Sequence, residues 1–578
     1  MSYIYKFIKK NPKRLILSFF IVVISLIYGL PNIILKVQLK ENYNPLTISA
    51  TSPVSRDETY AYAPFVKHIL EGNFIIKDVY VEEYKDYPTP FVGETTPSLI
   101  FAFLSIITGS IENAFITGDF IFPPIIFLLM YLLVRIFLKN NLYAASVAFL
   151  TTIARDFIAV IPFPQTTLQY LTVAENQNFL LHFSRAFHPQ LTLIFFLAAF
   201  LSFLKLLSNL SSKVFLATSG IFFGILFYSY IFYWTYFLFF LVILFLYYAF
   251  RKEVDVAKAL TISGVIGLLI ASIYLYNIWQ FRQLSLYSDF LTKSSLPHLP
   301  LPLTLIRYLL IALFFIIFTK PRKRPVTTLF IFLLSGVLIA PVSRFILGQD
   351  LETFHYLRRA LMPLATISLF IIIFDFLKGK KNVVRIVSIL TILMAVFFAF
   401  GTQIIATTKI KSAHVRNYDQ ESVFQWLNES TPKDSVVASI NTTFNSLIPV
   451  YTKNRVYFPP SDRTIMPTDE GVERYAILAN ILGIDTLWQK KNLDHILSYL
   501  FIFQTYDQHN KLDLNSTRKT FAESKIDTAA GQNPKTLIQR YRLDYVVVTP
   551  QELDLIHPTN FSRLLYVVNG YQIYKIIT

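Results

Sequence analysis

Cysteine is absent from all 578 residues, which excludes disulfides, thiolate metal sites and thiol catalysis and leaves the compartment open. Charge is the second scarcity: 15% of the chain is Asp, Glu, Lys or Arg, against about a quarter in an ordinary soluble domain. No P-loop, dinucleotide-binding glycine fingerprint or Ser-His-Asp nucleophile elbow occurs. Nucleotide hydrolysis and a soluble nucleotide-sugar site are therefore not indicated. There is no internal repeat and no low-complexity linker.

What fills the chain is apolar: 54% of it is hydrophobic and 16% aromatic. Up to residue 410, apolar runs recur at about the 20 residues that cross a hydrocarbon core of about 30 Å. Spans are expected near 14–36, 118–138, 141–156, 188–208, 213–231, 233–250, 256–278, 301–319, 325–343, 357–377 and 383–406. That makes an α-helical polytopic membrane protein of about eleven transmembrane helices. The basic stretch Lys9-Lys10-Asn11-Pro12-Lys13-Arg14 precedes a run too long for a signal peptide and without a small-residue cleavage site. The first helix is therefore retained.

A net charge of +17 would suggest nucleic acid in a soluble protein. Here the cations sit in short loops, and no nucleic-acid partner is expected. With the N-terminus inside, the inner loops collect Arg135 and Lys139; Lys205 and Lys213; Arg251, Lys252 and Lys258; Lys320, Arg322, Lys323 and Arg324; and Lys378, Lys380, Lys381 and Arg385. This orientation requires the short apolar stretch 97–108 to lie at the outer interface rather than cross. The expected organisation is a membrane domain over 1–409, with a first outer loop at about 37–117, and an extracytoplasmic α/β domain over 410–578. The location is the plasma membrane, with the N-terminus cytoplasmic. In the C-terminal part, strands are expected at 435–440, 451–457 and 544–549, with a hairpin over 564–577 turning at Asn569-Gly570 and helices at 420–427, 470–482 and 533–541. Sequons stand at Asn428, Asn441, Asn515 and Asn560.

Two adjacent carboxylates, Asp57 and Glu58, stand in the first outer loop just before an amphipathic stretch at 60–71. A carboxylate at the membrane surface can act as a base on an acceptor hydroxyl or hold a divalent cation beside a phosphate; it can equally cap the helix that follows. Asp156, beside Arg155, is a second acidic position and reads either as part of a metal site or as an ion pair at a helix end. Arg185 and His188 stand at the outer mouth of the fourth span, where few cations are expected, and Pro189 also suits a helix start there. Arg344 ends the ninth span. In the next outer loop His355 and Arg359 share a helical face at i, i+4, with Arg358 beside them. Arg307 lies inside the eighth span, where a charge is expensive. Such a cluster suits a lipid phosphate, which offers bidentate acceptors; the alternative is snorkelling to head groups with pairing to Asp350 and Glu352.

One span, a long outer loop with an early acidic motif, an interfacial helix, many further spans and an outer α/β domain together resemble the GT-C superfamily of membrane glycosyltransferases. The resemblance covers the whole chain as an arrangement and implies a polyprenyl-phosphate-linked sugar as donor. The acceptor would be an outer-face glycan, lipid or protein, and the setting the cell envelope and its membrane lipid. It also implies an inverting reaction, with Asp57 as catalytic base and Glu58 as its neighbour. Asp57 and Asp156 would be the ligands of a divalent cation (Mg or Mn), and the basic residues of the later spans would hold the lipid phosphate. Where many bacterial members carry His/Lys-Pro-Pro-Leu, this chain reads Gly93-Glu94-Thr95-Thr96-Pro97-Ser98-Leu99. The Trp-Trp-Asp motif of oligosaccharyltransferases is absent. A flippase for a lipid-linked glycan, or a non-catalytic envelope-assembly protein, remains the alternative; neither needs Asp57.

Overall fold

The computed structural model describes residues 12–46, 62–153, 180–294, 304–319, 323–347, 355–376, 380–460, 463–500, 514–557 and 562–577. Up to residue 410 it is helical. The helices are Pro12–Leu39 (α1), Ala63–Leu70 (α2), Thr95–Thr108 (α3), Ile111–Phe137 (α4), Asn141–Ile153 (α5), Thr192–Ser208 (α6), Lys213–Leu226 (α7) and Ile231–Phe250 (α8). They continue with Val254–Ile270 (α9), Ser272–Arg282 (α10), Leu286–Ser294 (α11), Thr304–Thr319 (α12), Arg324–Leu347 (α13), Met362–Phe376 (α14) and Lys381–Ile410 (α15). Among the described residues, 8 helices are long and apolar enough to cross a membrane. The chain is a multi-pass membrane protein.

The span expectations need adjustment at particular helices. The stretches at 141–156, 213–231 and 301–319 fold as shorter apolar helices, Asn141–Ile153, Lys213–Leu226 and Leu305–Thr319. The span expected at 256–278 is a pair, α9 and α10, bent by 61°. α3, expected at the interface, is 14 residues long; at about 21 Å it is shorter than a hydrocarbon core. Only with its lead-in turn, as Pro90–Thr108, does it pass as a span. Where α7 meets α9 the backbones touch. A Cβ on Gly220 would lie 2.8 Å from Ser263 O, and the Ser219 and Ser263 hydroxyls are 2.7 Å apart. Small residues permit that approach where lipid gives no hydrophobic drive between helices.

Beyond α15 the chain forms a mixed sheet with helices packed against it. The strands are Val436–Ala438 (β1), Arg455–Val456 (β2), Tyr545–Val548 (β3), Ser562–Val568 (β4) and Tyr571–Ile576 (β5), in the order β2-β1-β3-β5-β4. β1 pairs in parallel with β2 and β3, and β5 is antiparallel to β3 and β4. The hairpin turns at Asn569 and Gly570, both at positive φ (49° and 82°), as a two-residue primed turn demands. The helices Tyr418–Ser430 (α16) and Thr468–Ile481 (α18) overlap expected ones, whereas Thr442–Tyr451 (α17) lies where the sequence reading expects no helix.

The segment between α2 and α3 is fastened to this unit by a buried carboxylate. Asp78 accepts from the backbone N–H groups of Tyr80 and Val81 on Oδ1. Its Oδ2 accepts from the Thr464 hydroxyl at 2.6 Å and Ile465 N at 3.0 Å. Val456 N continues the attachment by donating to Tyr80 O. Nearby, fully buried Arg474 pairs with Glu470 at 2.6 Å and Glu83 at 3.1 Å. Asp78→Ala strands several buried donors at once and is expected to cost about 2–4 kcal/mol. It should also expose the 78–94 segment to limited proteolysis; wild-type cleavage kinetics would show that this anchor is not what holds the loop.

Candidate functional site

Pro189 holds the residue before it out of helical geometry. His188 sits at φ −125°, ψ 123° inside the turn Ala186–Leu191 that leads into α6. Its side chain is fully buried and both ring nitrogens are used: Nε2 lies 2.7 Å from Glu94 Oε2, and Nδ1 lies 3.1 Å from Thr192 Oγ1. Glu94 closes the turn Pro90–Glu94 at the start of α3, and Thr96 N donates to Tyr228 O at 2.8 Å. That bond fixes the helix start against the loop between α7 and α8. The Glu94 side chain keeps 19% exposure. The buried imidazole therefore orients a carboxylate that is still open to a ligand.

Aromatic rings flank His188. Tyr62, just before α2, meets it edge-on at 5.0 Å and stacks on Phe187 at 4.1 Å. The Tyr230 ring lies 4.5 Å from His188. The Tyr230 hydroxyl bonds His355 Nδ1 and accepts from an Arg359 NH group at 2.5 Å, with the Arg359 guanidinium 5.2 Å from the ring centroid. Arg359 and Arg185 are the cationic neighbours of His188. From the C-terminal unit, Arg463 sets its guanidinium 5.5 Å over Tyr62. One carboxylate, one imidazole pair and several guanidinium groups thus converge where the α2–α3 segment, the bundle and the C-terminal unit meet.

The residues singled out in the sequence divide accordingly. The structure brings Arg185, His188, His355 and Arg359 together, and the i, i+4 spacing of His355 and Arg359 puts both on Tyr230. Arg358 is exposed. Arg307 is half-buried near the start of α12, which packs chiefly against α13 and α14. Arg344 lies in the last turn of α13; its side chain is outside the described residues, as are Asp57, Glu58 and Asp156.

No family model and no curated protein matches the chain. Solved structures do share its arrangement. The oligosaccharyltransferase of Archaeoglobus fulgidus in the apo form is 13% identical over 94% of this chain and 70% of that one, with a TM-score of 0.49. ArnT from Cupriavidus metallidurans bound to undecaprenyl phosphate is 8% identical over 95% of this chain and 97% of that one, also at 0.49. The archaeal oligosaccharyltransferase AglB from Archaeoglobus fulgidus, in complex with an inhibitory peptide and a dolichol-phosphate, is 13% identical over 94% and 70%, at 0.47. At these scores the likeness is one of overall arrangement, and any statement about chemistry has to come from the side chains.

Glu94, Tyr62, Tyr230 and Arg463 are absent from the sequence reading of the site. Glu94 carried a signal, being a lone carboxylate at the head of an apolar helix; Tyr230 sits in an aromatic run, 228–236, that reads as interfacial packing. For a divalent cation, the described residues gather no group of three or more His, Asp or Glu side chains. Glu94 and His188 are a pair already bonded to each other, so the described residues alone do not make a complete ligand set.

α2, which Tyr62 precedes, is docked by Lys67, whose Nζ donates to Thr452 O and Pro449 O. Burial pushes the Lys67 amine down to about 8 from its ordinary 10.5; Glu71 opposes the shift, while Lys433 and Arg455 add to it. The folded protein therefore bears the cost of the buried charge in full below pH 8 and sheds it as pH rises toward 10.5. Wild type should gain up to about 3 kcal/mol across that window. Thermal unfolding of Lys67→Met should lack the gain, and parallel pH profiles for the two proteins would refute the assignment.

Proposed function

We propose that this chain is an inverting membrane glycosyltransferase that moves a sugar from a polyprenyl-phosphate carrier to a hydroxyl at the outer membrane face. The observation that carries the reading is the Tyr230 hydroxyl shared by His355 and Arg359, beside an exposed-edge carboxylate fixed by a buried histidine. A phosphate leaving group needs cations and hydrogen-bond donors gathered in a water-poor place, and this cluster supplies both. The arrangement shared with ArnT and the oligosaccharyltransferase agrees with the reading and does not carry it.

In the reaction the acceptor oxygen attacks the anomeric carbon from the face opposite the lipid phosphate. Its proton passes to a carboxylate, which the GT-C resemblance assigns to Asp57, with Glu58 beside it. The bond from the anomeric carbon to the phosphate oxygen breaks, and its electron pair leaves with the polyprenyl phosphate. Arg359, His355 and the Tyr230 hydroxyl neutralise that charge, so the leaving group needs no proton. Arg185, a cationic neighbour of His188, adds to this basic surface, and Arg307, Arg344 and Arg358 would be further contacts for the lipid head group. Glu94, held by His188, faces the sugar and orients its hydroxyls. A divalent cation at Asp57 and Asp156 would add electrostatic stabilisation of the phosphate. The C-terminal unit, whose Arg463 lies over Tyr62, would cover the site on the extracytoplasmic side and select the acceptor.

The test uses protein in nanodiscs with a panel of polyprenyl-phosphate sugars and a membrane extract as acceptor, following release of free polyprenyl phosphate. Asp57→Asn should abolish release while lipid-phosphate binding persists. Arg359→Gln should weaken that binding about 10–100-fold, the scale of a lost charge-assisted hydrogen bond. Release that is equal in wild type and Asp57→Asn moves the base elsewhere, Asp156 first. Saturable binding without any release favours the flippase or the envelope-assembly protein.

In the same assay Tyr230→Phe removes only the hydroxyl. It should raise the apparent Kd for lipid phosphate about tenfold, since His355 and Arg359 lose their shared partner. An unchanged Kd would mean that Tyr230 serves packing alone.

A further inference from the structure

The sequence predicts a straight span at 256–278, but the structure bends it at Ala271, where α10 leaves α9 at 61°. α10 has two unlike faces. Tyr274, Asn277 and Phe281 are buried, and they hold the turn that presents Glu94: Asn277 Nδ2 donates to Thr89 O, and Gly93 packs against the Tyr274 ring. The opposite face shows Ile273 (57% exposed), Leu275 (39%), Tyr276 (58%) and Trp279 (58%), with Tyr276 and Trp279 stacked at 5.9 Å. None of these four side chains is charged at neutral pH. This apolar face continues directly from the exposed side of α9, where Val265, Leu268 and Leu269 face outward from the bundle.

From this continuity we infer that α10 is an interfacial helix lying obliquely at the outer leaflet, and that the lipid surface is the partner of its exposed face. Water is a poor neighbour for Ile, Leu, Tyr and Trp side by side, and a patch of this kind marks an interaction surface. Trp and Tyr prefer the head-group layer, where the ring is buried and its polar edge stays wet. A helix bent 61° from a span retains only about half of its rise along the membrane normal. The bilayer surface thereby becomes a reference plane: its contact with one face of α10 sets the height of the other face, and so of Glu94. The inference concerns placement and stands whether or not the proposed transfer is correct.

The absence of cysteine gives a direct test. Ser272→Cys and Trp279→Cys each introduce a single thiol on the exposed side of α10, seven residues and about 10 Å apart along the helix. In nanodiscs, nitroxide labels at both should lie in the head-group to upper-acyl zone, judged by collision with oxygen and with a water-soluble nickel chelate. Their depths should agree within about 5 Å, with a label at Leu269→Cys deeper. A depth difference near 10 Å would mean that α10 continues across the bilayer and would overturn the inference. So would nickel accessibility at 279 equal to that of Asp494→Cys on the aqueous surface. Leu275→Cys and Tyr276→Cys report the same face if Trp279→Cys fails to reconstitute. For the effect on the Glu94 turn, a label at Tyr87→Cys should gain motion when Tyr276 and Trp279 are both changed to Ser; an unchanged line shape would sever that link.

Discussion

The end of the bundle that meets the C-terminal unit depends on how one buried imidazole is satisfied. His188 has no exposure, and an unpaired ring nitrogen there would cost about 1–3 kcal/mol. Both nitrogens are paired, and the partners come from different parts of the chain: Thr192 from the following turn, and Glu94 from the head of α3. Because the second partner is distant in sequence, the hydrogen bond fixes two helices relative to each other. The rings of Tyr62 and Tyr230 can then close on His188, and Tyr230 in turn gathers His355 and Arg359. Removing the imidazole would free a carboxylate and loosen a helix start together.

The α2–α3 segment that reaches this imidazole is also held from the other side. Asp78 ties the loop to the C-terminal unit, Lys67 docks α2 onto the carbonyls of α17, and Asn277 holds the Thr89 turn from below. These are polar contacts, whereas within the bundle apolar and small-residue packing predominates, joined by a few buried amide bonds such as those of Gln403 to Ile27 O and the Ser184 hydroxyl. The difference follows from the solvent. Within the membrane, helices satisfy their own backbone, and a charge is costly. Beyond the bundle end irregular backbone needs partners, and carboxylates, amides and lysine provide them.

How much of this was legible depended on the distance in sequence over which each feature is determined. Helix periodicity and run length are local, so the helical membrane part and the α/β part were readable, down to the Asn569-Gly570 turn. His355 and Arg359 were readable as a pair because four residues make one helical turn. Glu94 and His188 are 94 residues apart, and Tyr230 and His355 are 125 apart, so no spacing rule joins them. The bend at Ala271 was missed because hydropathy continues across it. Span length alone cannot separate a crossing helix from one that turns into the interface.

Convergence from separate elements also limits what the site can be used for. A cation cluster that merely snorkelled to head groups would have its guanidinium groups exposed, as Arg358 does. Arg359 instead packs over a tyrosine ring and shares its hydroxyl with a histidine, so its side-chain freedom is already spent before any ligand arrives. A pre-ordered guanidinium loses little entropy on meeting a phosphate and needs little rearrangement as charge develops there. The carboxylate at Glu94 is likewise pre-oriented, by a residue that has no exposure of its own. Opposite charges held in fixed positions on either side of His188 and Tyr230 suit a reaction in which one end of a bond becomes anionic while the other becomes electron-poor. A passage for intact lipid-linked glycans has no evident need of that polarity, and this distinction favours transfer over transport.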